Sequence, residues 1–274
     1  MNKTLILIIF FFTNLVIFSG QDKNKDLRII SINPAATESL YLLNAGNLLV
    51  ADSTYCDYPE EARHKVKVGN LLEIDVEKIV SLKPDIIFMT TMTPLKSYIK
   101  LKSLNLNILT IDQPKNFIEL CDNFFVIGKA VGKEAEALKI ISQTKSEFSE
   151  IKNDNSGKPR QKVFIQIGSK PLFGVLKDSY LNDLIDASGG DNIIDDSPNG
   201  LYSMEKVLKK NPDVIIITEM GIAGDDEKKE WKKFSSLNAA KNGKIFIVDP
   251  NIVCRPVPTM FIEALNLFNK LLHE

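Results

Sequence analysis

The chain has 274 residues, 44% of them hydrophobic, with 34 basic against 35 acidic side chains and a formal net charge of -1. That composition excludes a disordered or fibrous protein and supplies apolar side chains for one large core or two modest ones. The balanced charge, with no Lys/Arg cluster, lacks the footprint of a nucleic-acid binder. With only His64 and His273, no His-rich zinc or nickel cage can be assembled, so any metal is expected to arrive inside a ligand.

Residues 1–20 read as a secretory signal peptide: Lys3 precedes apolar runs from Leu5 to Phe12 and from Leu15 to Phe18, followed by Ser19, Gly20 and Gln21. The alternative is a membrane anchor, but Thr13 and Asn14 interrupt the run, and a crossing needs about 20 apolar residues. No Cys lies there to accept a lipid, so the sequence predicts an exported chain with its signal removed and not a lipoprotein. Cys56, Cys121 and Cys254 are too few and too far apart for a disulfide framework.

An N-terminal α/β lobe is expected over 21–116, opened by a strand from Arg28 to Ile32. Residues Ser31 to Glu38 then lead into a helix, with Thr37 and Glu38 near its start, where N-capping is the ordinary reading. This turn should face a cleft, because ligands of parallel sheets sit beyond the carboxyl ends of the strands. After a second strand near Leu49 to Ala51, the loop Thr54-Tyr-Cys-Asp-Tyr-Pro59 offers Tyr55 and Tyr58 to stack on a large planar ligand, with loop packing as the alternative.

Next comes half of an internal repeat. Residues 76–92 read VEKIVSLKPDIIFMTTM, and residues 204–220 read MEKVLKKNPDVIIITEM. Glu77 matches Glu205, Pro84 matches Pro212, and Asp85 matches Asp213 at one constant offset. Each copy predicts a short amphipathic helix that stops because the residue before Pro is pushed out of the helical region. A continuous apolar run then suits a parallel strand covered on both faces. A strand from Leu106 to Asp112 closes the lobe.

Apolar residues spaced by three and four from Phe117 to Ile151 predict one connecting helix over 117–152, roughly 50 Å long. The second α/β lobe is expected over 153–274, with strands from Val163 to Ile167 and from Lys244 to Asp249. No catalytic constellation is present: there is no Gly-x-Ser-x-Gly elbow, phosphate loop or His-Glu-x-x-His. A Cys56–His64 nucleophile pair stays open only if the fold brings the two together.

In order along the chain, RIISINPAATESL, STYCDYPEEA, KVGNLLEIDVEKIVSLKPDII, KVFIQIG, DLIDASGGDNI and SMEKVLKKNPDVIIIT resemble the periplasmic binding proteins of cobalamin, haem and iron-siderophore ABC importers. The resemblance spans essentially the whole chain after residue 20, and the Asp57-Tyr58-Pro59 loop is most similar to the cobalamin branch. It implies two Rossmann-like lobes with parallel sheets, joined by one long backbone helix, with a ligand cleft between them. It also implies a periplasmic protein that is not an enzyme, has no intrinsic cofactor or metal, and is a monomer when free. Such a protein would deliver a cobalt corrinoid, or alternatively an iron chelate, to an ABC permease dimer with its ATPase subunits.

By the same resemblance Glu77 and Glu205 would dock on the permease, one from each lobe, although a Glu in a first helical turn is also favoured by the helix dipole. Tyr58 would stack on the ligand, while Asn251, Ile252, Val253, Cys254 and Arg255 would contact it from the second lobe. Gly168 to Phe173, together with Tyr202, would complete that wall. Leu71, Thr90 and Asn199 stand where larger aromatics are expected, with Leu71 counted among the ligand contacts. The haem branch's iron-ligating Tyr is replaced by Asn70, and only Arg255, with Arg63 more remotely, could balance an anionic siderophore.

Overall fold

The computed structural model describes residues 27–70, 73–195, 197, 199–218 and 224–273. The expected signal peptide, Leu71 and Met220 lie outside them. Five strands, β1 (Ile29–Ser31), β2 (Leu49–Asp52), β3 (Val66–Lys67), β4 (Ile86–Thr90) and β5 (Ile108–Ile111), pair parallel in the order β3-β2-β1-β4-β5. They alternate with α1 (Pro34–Leu42), α2 (Glu60–Arg63), α3 (Val76–Ser81) and α4 (Leu95–Ser103). The apolar centres of β1 and β4, Ile29, Ile30, Ile87 and Phe88, are fully buried, as a strand covered on both faces requires.

Two helices follow, α5 (Phe117–Ala130) and α6 (Glu134–Asn155). A second sheet then contains β6 (Gln161–Ser169), β7 (Leu172–Gly174), β8 (Gly190–Asn192), β9 (Val214–Ile217) and β10 (Ile245–Ile247). Its order is β10-β9-β6-β7, with β8 also paired to β6. The β7 strand runs antiparallel to β6, so this sheet is mixed and not wholly parallel as expected. Its helices are α7 (Tyr180–Ala187), α8 (Met204–Lys210), α9 (Gly224–Lys232), α10 (Asn238–Lys241), α11 (Pro250–Val253) and α12 (Pro258–His273).

The two halves of the repeat are physically equivalent. Asp75 caps α3 by accepting from the Lys78 amide (2.9 Å), and Ser203 caps α8 by accepting from the Lys206 amide (3.2 Å). Each helix ends just before a left-handed residue that precedes Pro, Lys83 and Asn211, both at φ 49°. The repeated Asp then ties its strand to the one beside it. Asp85 accepts from the Arg28 amide (2.7 Å) and Asp213 from the Lys162 amide (2.9 Å), while the Asp amides donate back to Arg28 and Lys162 at 2.8 Å.

The single connecting helix is not formed. The three-and-four spacing continues through residues 117–151, but the backbone breaks between Val131 and Lys133, where Gly132 takes φ 68°. Gly128 lets the second helix fold back closely: a Cβ there would meet the Ala137 Cβ at 2.7 Å. The result is a hairpin of 14 and 22 residues in place of one rod.

This hairpin and α12 still join the two sheets. One buried apolar cluster holds Ile29 and Phe88 of the first sheet, Phe117, Leu120 and Phe124 of α5, Phe261 and Leu265 of α12, and Ile165 and Val214 of the second sheet. At its centre the Phe117 and Phe261 rings stack at 4.4 Å, with Phe148 of α6 at 4.7 Å from Phe117.

Candidate functional site

Parallel strands deliver their carboxyl ends to one edge of a sheet, and there the two halves of the molecule face each other. Residues at or just past the ends of β1, β4 and β5, including Asn33, Thr90, Met92 and Asp112, line a cavity of about 150 Å³ that Cys254 and Pro256 close from the opposite half. Beside it a smaller cavity, about 40 Å³, is lined by Glu38, Cys56, Asp57 and Tyr58 on one side and by Cys254 and Arg255 on the other. These spaces are smaller than the roughly 300 Å³ at which pockets for drug-sized ligands begin, so a large ligand would also occupy the open space between the halves or displace the side chains that bridge it.

The loop that carries Tyr58 is fixed from below. Lys67 donates to the buried Asp52 carboxylate (2.7 Å) and to the carbonyls of Cys56 (3.1 Å) and Ala62 (2.9 Å), and Arg63 Nε donates to the Asp57 carbonyl (2.8 Å). Burial nevertheless pushes the Asp52 carboxyl up to about 6, against the opposing hydrogen bond and charge of Lys67. On the other side Asp249 caps α11 through the Asn251 amide (2.8 Å), and the Tyr180 hydroxyl donates to the Val253 carbonyl (3.2 Å). These bonds project Arg255 toward the first half.

Arg255 is the hub of the gap. Its guanidinium lies over the Tyr58 ring, 4.1 Å from the centroid, and Nη2 donates to Asn251 Oδ1 at 3.0 Å. Its Nε is 3.9 Å from Glu38 Oε2, and Nη2 is 3.9 Å from Asp57 Oδ1. Glu38 is 3% exposed, and its Oε1 has no hydrogen-bond partner. Desolvation raises this carboxyl to about 7; Arg255 opposes the shift, while Glu263 and Asp57 add to it.

The folded carboxyl binds its proton more tightly than an unfolded one, so ionising it destabilises the fold as pH climbs from 4.5 through about 7. Glu38→Gln is therefore expected to melt higher than the parent at pH 8, by up to about 3 kcal/mol in stability, with the gap closing as pH falls toward 4.5. Thermal melts across that range check it, and a constant gap would refute it.

The expected site residues divide into three groups. Tyr58, Asn251, Cys254 and Arg255 come together at the gap, with Tyr58 44% exposed. Val253 instead points into the main core, and Ile252 packs against that core. Tyr202 is a correction: its ring is buried in the core of the second sheet, 6.3 Å from Phe164 and capped by Lys206, and does not form a cleft wall. Phe173 lies half-buried on β7 and lines neither cavity. Leu71 lies outside the described residues.

Glu77 and Glu205 are exposed second residues of the equivalent helices α3 and α8. The Cys56–His64 pair is not assembled. Thr37 Oγ1 donates to Cys56 Sγ (3.1 Å), Ser53 Oγ lies 3.3 Å away, and burial pushes the thiol up, while exposed His64 sits beside Glu60. Among the described residues no group of three or more His, Cys, Asp or Glu could hold a metal ion. The helix cap assigned to Thr37 and Glu38 belongs to Asn33, which accepts from the Ala36 amide (3.1 Å). The Ser31–Glu38 turn was expected to face the cleft, but no side-chain role there was assigned to Glu38.

A model of the family described as periplasmic binding protein matches residues 29–252. A substrate-binding lipoprotein of an ABC transporter from Bacillus subtilis, YvrC, is 31% identical, over 88% of this chain and 80% of that protein. The periplasmic vitamin B12 binding protein BtuF of Vibrio cholerae superposes with a TM-score of 0.77 at 29% identity, covering 89% of this chain and 96% of its own. A possible iron-binding periplasmic solute-binding protein from Staphylococcus epidermidis gives a TM-score of 0.79 at 30% identity, over 90% and 98% of the two chains. Two sheets meeting at a gap and matches along nearly the whole length lead to one conclusion: the chain belongs to the periplasmic binding protein family and is a two-lobed substrate-binding protein of an ABC importer.

Proposed function

We propose that the cargo is a corrinoid, cobalamin as first choice, and that it stacks on Tyr58 in the gap between lobes at 21–116 and 153–274, with 117–152 as their connector. The observation that carries this is the exposed Tyr58 ring faced by Arg255, with the Asp57 carboxylate and the Glu38 carboxyl group each 3.9 Å from that guanidinium. A gap without surplus positive charge suits a near-neutral chelate and not a polyanionic one. The 29% identity with the vitamin B12 binding protein of Vibrio cholerae supports the same choice. An iron chelate is the second reading, supported by the Staphylococcus epidermidis relative.

Titration with cyanocobalamin, haem and ferric siderophores, followed by absorbance and calorimetry, tests the assignment; tighter binding of either iron ligand would overturn it. Tyr58→Ala should weaken cyanocobalamin binding about tenfold, the value of one aromatic stacking contact of roughly 1.4 kcal/mol. An unchanged affinity would remove Tyr58 from the site.

On this reading Glu77 and Glu205 engage the permease, and the exported chain is a free monomer with its signal segment removed and no lipid. The intact mass of the exported chain, which a lipid or a retained leader would increase, checks the last point.

A further inference from the structure

The Tyr58 face turned toward the opposite lobe is already occupied. Arg255 lies on it at 4.1 Å, so a flat ligand can stack there only by displacing the guanidinium. Two carboxylates are equally near, each at 3.9 Å, but they differ in surroundings. The Asp57 side chain is 57% exposed and keeps its water, whereas Glu38 is buried with Oε1 unsatisfied. A buried acceptor lacking a partner gains far more from a charge-assisted hydrogen bond than a hydrated one does. Arg255 Nε already lies 3.9 Å from Oε2 of that carboxylate, so a shift of about 1 Å makes a bond of the usual 2.7–2.9 Å to Oε2 and sets the guanidinium beside the unsatisfied Oε1.

We propose that Arg255 is a two-position gate: it caps the Tyr58 ring in the free protein and closes onto the buried carboxylate of Glu38 when a flat ligand takes that ring face. Glu38 is then a positioning residue for ligand entry. The charged groups around it are Arg255 from the loop after α11, Asp57 from the tyrosine loop and Glu263 from α12. With only Arg255 cationic among them, its approach alone can hold the carboxylate ionised. Below pH 7 closure must first expel the Glu38 proton to solvent, so ligand affinity rises with pH through that range. The carboxylate that weakens the fold at neutral pH is the one that receives the displaced cation.

This proposal rests on Tyr58 being the stacking residue, but its first test needs no ligand. The Glu38 side chain is titrated by ¹³C NMR in the parent, Tyr58→Ala, and Tyr58→Ala with Arg255→Met. Removing the ring should let Arg255 settle on Glu38 and lower its pKa by about one unit or more. The drop should vanish when Arg255→Met is added. No drop, or a drop that survives Arg255→Met, overturns the gate. Cyanocobalamin titrations then give the second readout: affinity for the parent should rise about tenfold from pH 6 to pH 8, and Glu38→Gln should bind more weakly with a flat profile. A flat parent profile also overturns the gate. Failure of the parent to bind cyanocobalamin at any pH would instead remove the corrinoid assignment, leaving the ligand-free titration to decide the gate.

Discussion

Cobalamin uptake should fall at least about a hundredfold in cells that carry Glu77→Ala together with Glu205→Ala, while cyanocobalamin binding in solution stays within about twofold. The two side chains are exposed at the same position of equivalent helices, each one residue past N1 and two past its capping Asp75 or Ser203. A transporter built on two-fold symmetry needs one matched charge from each lobe, and truncating a desolvated charge pair removes about 2–5 kcal/mol. Losing one such pair at each lobe gives the stated effect, and each single variant should retain part of the uptake. If these acids serve only the helix dipole, each contributes about 0.3–1 kcal/mol to stability and uptake is unaffected. Uptake of labelled cobalamin, measured beside calorimetry on the purified variants, separates the two outcomes.

The second large effect concerns the joint between the lobes. Phe261→Ala should lower stability by about 3–5 kcal/mol, which for a chain of this size corresponds to roughly 10 °C in melting temperature. The ring is 1% exposed, stacks on Phe117 at 4.4 Å and lies 5.9 Å from Phe148, so its loss opens a void where α5, α6 and α12 meet. Because those helices connect the two walls of the gap, ligand affinity should fall as well. Phe164→Ala, in the separate core of the second sheet, should be comparably destabilised with less effect on affinity. Equal loss of affinity in both variants would mean that general loosening, and not the joint, governs the gap.

Strands were legible in the sequence wherever burial on both faces imposed an unbroken apolar run, as in Ile86 to Met89 and Val214 to Ile217. The repeat carried more than its pattern indicated, because Asp85 and Asp213 recur to bond the neighbouring strand. The helix break at Gly132 was hidden because the apolar spacing keeps its phase across it, and spacing reports which face is buried but not whether the backbone continues. Tyr202 was expected on the cleft wall, and Glu38 only as part of a turn facing the cleft, with no side-chain role. Periodicity does not say whether an aromatic ring or an acid on a short element faces the core or the gap, and here the ring went inward while the acid reached the edge of the gap. Arg255 was named by family resemblance, but its four partners come from both lobes and only the fold assembles them.

The apolar cluster runs without interruption from Ile29 and Phe88 through three helices to Ile165 and Val214. Pulling the walls fully apart would hydrate that whole surface, which favours small tilts of the lobes about the joint over wide opening.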